Sequence, residues 1–130
     1  MPVEGKFAWH WEETAGRRYL SARPTTAIKE SDWIAFFQSR LHDYQESEVA
    51  ILVDVTKIDE DMGKQGFEEL ILIFKNTNIN YARIGVISDE VSKKYLGDLL
   101  GKIAKVRNFD LDCEVFIQFE PAEQWLCAKR

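Results

Sequence analysis

Residues 48 to 55 read EVAILVDV, an almost unbroken apolar run rich in β-branched side chains. A strand with one face in water alternates polar and apolar residues, whereas a continuous run is what a central strand carries when both faces of its sheet are covered. Helices supply such cover in layered α/β folds, so this one segment restricts the class of fold more than any other.

The flanking segments fit that frame. Lys6 to Glu12 sets Phe7, Trp9 and Trp11 on one parity and Ala8, His10 and Glu12 on the other, the period of a half-buried strand. Gly16 supplies a turn, Arg17 to Ala22 returns antiparallel, and Pro24 stops the strand because it has no N–H to donate. From Ser31 the period becomes helical, with Ser31 as the expected N-cap and Ile34, Phe37, Leu41 and Tyr44 as the expected buried stripe. A second helix is expected around Phe67, Leu70, Ile71 and Phe74, widened by Leu72 and Ile73. Tyr81 to Ile87 reads as another buried strand, followed by a helix that Ser88 and Asp89 can cap and that carries Val91, Tyr95, Leu99, Ile103 and Val106. Cys113 to Phe119 alternates as a last strand, and Pro121 suits an early position of a final short helix with Trp125 and Leu126. The order is ββαβαβαβα in a single domain spanning residues 1 to 130. Helical crossovers favour right-handed parallel connections, so a mostly parallel sheet with an antiparallel N-terminal hairpin is expected.

Composition removes several classes of function. With 45% hydrophobic and 30% charged residues the chain is an ordinary globular one, and a net charge of −5 opposes general nucleic-acid binding. The opening MPVEGKFAWHWEE does not read as a signal peptide and no apolar run reaches the ~18 residues of a membrane span, so a cytoplasmic protein is expected. Cys113 and Cys127 show no disulfide-framework spacing, which suits a reducing compartment. His10 and His42 have no partner at metal-ligand spacing, and no metal or other cofactor is expected. Gly63-Lys64 fails the phosphate-loop pattern and no Gly-x-Ser-x-Gly elbow occurs, leaving enzymatic chemistry without a foothold. Trp9 and Trp11 share a strand parity that suits the core, yet two indoles on an edge hairpin also make an apolar binding wall.

Three strings carry a family resemblance: ILVDVTKID at 51 to 59, ARIGVISDE at 82 to 90 and EVFIQFEPAEQWL at 114 to 126. Together they resemble the STAS-type superfamily, in the STAS/SEC14-like branch similar to the sporulation anti-sigma-factor antagonist. The resemblance implies a STAS-like fold and a non-enzymatic regulatory module that binds a protein partner or itself. Signalling members carry a phosphorylatable serine at the start of the helix after the central strand. The matching stretch here, Asp59 to Gly63, has no serine or threonine, so the switch is absent or held in an acidic state by Asp61. The implied partner face is the loop from Lys57 to Gly66 with the second helix, with Thr56, Asp59, Asp61, Gly63 and Gln65 as its residues. The SEC14-like association also implies a second reading, a carrier or sensor of a small apolar ligand, with Trp9 and Trp11 as the ligand wall.

The central-strand assignment is directly testable. Val53→Asp puts an unpaired charge in that strand and should cost at least about 3 kcal/mol in a denaturant titration, while Lys94→Ala should stay within about 0.5 kcal/mol. Equal, small effects would show that the strand is misplaced.

Overall fold

The computed structural model describes residues 3–57, 62–90 and 94–129. Its elements are β1 (Val3–Glu4), β2 (Phe7–Thr14), β3 (Arg17–Pro24), α1 (Glu30–Leu41), β4 (Glu48–Asp54), α2 (Lys64–Lys75), β5 (Tyr81–Ile87), α3 (Lys94–Val106), β6 (Asp110–Phe116) and α4 (Phe119–Cys127). The expected order stands, with the short β1 added at the amino end.

The strands lie side by side in chain order, β1 to β6, in one sheet. Pairings within β1–β3 are antiparallel, and those from β3 through β6 are parallel. Each crossover therefore steps one strand in the same direction, and right-handed crossovers of that kind place their helices on one face. The cores show this directly. Side chains of α1, α2 and α3 pack with Ile51, Val53 and Val55 in the larger cluster, while Ala122 and Leu126 of α4 pack with Tyr19, Leu52 and Ile87 on the opposite face. β4 is thus covered on both sides, as its continuous apolar run requires.

Registers align side chains in rows across the sheet. One row runs Trp11, Leu20, Ile51, Ile84, Cys113, and the next runs Trp9, Ala22, Val53, Val86, Val115. Both face the helices α1 to α3.

Local chemistry moves several boundaries. The first helix begins at Glu30, not at a Ser31 cap; Lys29 is the N-cap and its backbone N–H donates to Asp32 Oδ2 at 2.9 Å. That bond, and Lys6 beside it, hold the Asp32 carboxyl below its usual range. The buried face of α1 is Trp33, Phe36, Phe37 and Leu41, with Ile34 half-buried and Tyr44 beyond the helix end. In α2, Ile73 is buried but Leu72 is 51% exposed. In α3, Leu100, Ile103 and Ala104 are buried, while Tyr95 and Val106 are 62% and 80% exposed. At about 100° per residue, Tyr95 and Val106 sit roughly 140° and 120° around the helix from Leu100, too far to share its stripe. Val91 lies outside the described residues. The last strand covers Asp110–Phe116 rather than running from Cys113 to Phe119, and Phe119 opens α4 with Pro121 in its first turn.

The β2–β3 hairpin closes through Ala15 and Gly16, both with positive φ (54° and 77°), between the paired residues Thr14 and Arg17. Two positive values define a type I′ turn, which matches the strand twist but strains an L-residue other than Asn, Asp or Gly. Ala15→Asn should relieve that strain and raise stability by about 0.5–1 kcal/mol in chemical denaturation. A loss of stability would show that Ala15 makes a contact of its own.

Candidate functional site

Between the sheet and its three crossover helices lies a cavity of about 90 Å³ lined by carbon. Its floor is Val53, Ile84, Val86, Cys113 and Val115, from the carboxyl halves of β4, β5 and β6, with Val55 just past β4. Trp33 and Phe37 of α1, Phe67 and Leu70 of α2, and Leu96, Gly97 and Leu100 of α3 form its walls, with Met62 just before α2. Trp33, Phe67, Leu96 and Gly97 come from the amino-terminal halves of their helices, and Phe37, Leu70 and Leu100 from nearer the middle. The position follows the general preference of open α/β sheets for ligands beside the carboxyl ends of parallel strands.

Side-chain size along the rows explains why a void occurs there. At the β2 end, Trp9 meets Phe36 edge-on at 6.5 Å, and Trp11 stacks on Tyr44 at 5.6 Å. These indoles fill the space beneath α1. At the other end, the row that begins with Trp9 holds Val53, Val86 and Val115, which are far shorter than the indoles.

The two expected site groups are placed differently from this cavity. Trp9 and Trp11 face the helices but do not line it; the guanidinium groups of Arg40 and Arg18 lie 4.2 Å from their respective ring centres. Of the loop residues, Thr56 N–H donates to Asp54 Oδ1 at 3.0 Å, Gly63 N–H donates to Glu30 Oε2 at 2.9 Å, and Gln65 is exposed. Asp59 and Asp61 lie outside the described residues. None of Trp9, Trp11, Thr56, Gly63 and Gln65 lines the cavity. The cavity-lining aromatics, Trp33 and Phe37, stack at 5.7 Å and are legible in the sequence only as core positions on a helix.

On the opposite face, polar groups fasten α4. Tyr19 Oη donates to Glu123 Oε2 at 2.5 Å, and burial together with that carboxylate raises the Tyr19 phenol well above its usual range. Arg83 donates to the carbonyls of Trp125 and Ala128 at 3.0 and 2.8 Å, a cation at the negative end of the helix. These contacts account for Tyr19 and Arg83 as anchors.

Chemistry in the cavity itself is sparse. Burial pushes the Cys113 thiol up from an ordinary 9.0 to about 12, with Glu114 and Asp98 adding to the shift. A protonated thiol is a weak nucleophile. Among the described residues, no three His, Cys, Asp or Glu side chains come together as a metal site requires. No described helix is long and apolar enough to cross a membrane.

The architecture is a single α/β sheet of six strands with helices on both faces. Among solved structures, the chain is similar to an uncharacterised protein of the DUF3478 family with a SpoIIAA-like fold, from Shewanella loihica PV-4. The TM-score is 0.63 at 14% identity, covering 98% of this chain and 99% of that one. That likeness shows the fold. No family model and no curated protein matches the sequence.

The thiols give a measurable consequence. Cys127, at the end of α4, is also raised by burial and by Glu123, but Cys113 is held at about 12 inside the larger core. With N-ethylmaleimide at pH 8, intact-mass analysis should show Cys127 modified first. The neutral thiols favour the fold fully below pH 9 and lose that contribution as pH climbs toward 12. Faster labelling of Cys113 would mean that the cavity is open to reagent.

Proposed function

We propose that this chain is a non-enzymatic STAS-like binding module that holds a small, slender apolar ligand between its sheet and helices α1 to α3. The observation that carries this reading is the carbon-lined cavity at the carboxyl ends of β4, β5 and β6. Its volume is about 90 Å³. The volume is below the roughly 150 Å³ of an engineered cavity that takes benzene, and far below the ~300–1,000 Å³ of drug-sized sites. A short alkyl chain suits a small apolar space of that volume. A thiol held protonated and a lining without charged side chains support binding without chemistry. Two unpaired cysteines support a cytoplasmic setting.

A protein partner at the loop from Lys57 to Gly66 and α2 is the second reading. It is favoured by Leu72, a large apolar side chain left 51% exposed on that helix.

Straight-chain alcohols of graded length test the first reading. A binder at a hundred times its dissociation constant should stabilise the fold by about 2.7 kcal/mol, read as a rise in melting temperature. Val86→Phe, which fills the floor of the cavity, should abolish that rise while leaving the protein folded. If no chain length stabilises the wild type, the cavity is only a packing gap and the α2 surface becomes the leading candidate.

A further inference from the structure

We propose that Glu30 is the positioning residue that seats the amino end of α2 against the cavity, so that this carboxylate governs access to it. The idea rests on the apolar-ligand reading for its biological consequence, though not for its test.

α2 is poorly equipped to start by itself. Its N-cap is Gly63, which has no side chain to offer, its first turn holds no acidic residue, and its first residue is Lys64, a cation at the positive end of the helix. The missing acceptor comes from another helix. Glu30, the first residue of α1, accepts the Gly63 N–H through Oε2 at 2.9 Å. It thereby brings a hydrogen-bond acceptor and a negative charge to that helix end.

Gly66 makes room for this arrangement. A Cβ at that position would lie 2.6 Å from Cγ, Cδ and Oε2 of Glu30, closer than such atoms approach. Glycine is disfavoured inside a helix relative to alanine, so its presence in α2 calls for a local reason, and the crossing of the Glu30 side chain supplies one.

The clasp sits at the margin of the cavity. Glu30 precedes the lining residue Trp33 by one helical turn, Gly63 follows Met62, and Gly66 precedes Phe67, and Trp33, Met62 and Phe67 all line the cavity. The bond thus ties the α1 wall to the α2 wall, and releasing it frees the first turn of α2 to move away from the sheet.

Cys113, on the cavity floor, reports that movement without any ligand. In a Cys127→Ser background, the rate of N-ethylmaleimide labelling at fixed pH is followed by intact mass. Glu30→Ala should speed labelling about tenfold, the scale of losing a cap and its charge, and Glu30→Gln, which keeps an acceptor, about threefold. Gly66→Ala is the decisive variant. It improves the intrinsic propensity of α2 and should leave the melting temperature no lower, yet its methyl group displaces Glu30 and should also speed labelling. If the Glu30 contact does not hold α2 closed, the opposite sign is expected, since a better helix opens less. Labelling of Gly66→Ala at or below the parent rate overturns the proposal, whatever Glu30→Ala does. Because no ligand enters the assay, its outcome does not depend on whether any alcohol binds.

Discussion

The two-sided burial of β4 is the condition on which the rest of the molecule depends. Ile51, Val53 and Val55 point into the core beneath the crossover helices while Leu52 points into the core beneath α4, so neither face of this strand can meet water. One layer of helices alone would leave Leu52 and Ile87 uncovered. α4 is too short to be stable by itself, and its docking combines a small apolar cluster with polar anchors from Tyr19 and Arg83. The second layer is therefore a consequence of the strand as much as a cover for it.

The same geometry explains where the fold has room to bind something. The cavity lies between the sheet and α1, α2 and α3, where the side chains on the sheet change from indoles to valines along one row. Large aromatic groups fill the space at the β2 end, and the cavity lies over the valines. No single residue makes the cavity. It is a difference in side-chain length across the width of a sheet.

That origin decides how much is legible in the sequence. The continuous run in β4, the alternation in β2 and the position of Pro121 each carry a local period or a backbone rule, and they locate their elements correctly. Helix faces are less legible. Tyr95 and Val106 look like stripe residues by spacing, but α3 lies over the outermost strand and buries only a narrow face centred on Leu100 and Ile103. The last strand begins at Asp110, three residues before its apparent start, because the alternation continues through Ile117 and Phe119, both exposed once the chain turns into α4. The cavity is not legible at all, since every residue around it is an ordinary core residue in its own segment. The clasp leaves a faint signal, two glycines three apart at the head of a helix without an acidic first turn. Its partner Glu30 stands 33 residues upstream, where only the folded chain reveals the connection.

The order of strands in the sheet is the order of strands in the chain, and this bears on how the molecule comes into being. Each strand pairs with its predecessor, so the sheet can grow by addition at one edge as the chain is made, with no strand waiting for a distant partner to be inserted between its neighbours. Growth has to end somewhere, and among the described residues it ends at β6, which sets Asp110, Asp112 and Glu114 at alternate positions on one face, all exposed. Two copies meeting edge to edge there would bring like charges together, and charged edges are how open sheets stay separate. The last strand thus completes the sheet and also sets a row of acidic side chains along its edge.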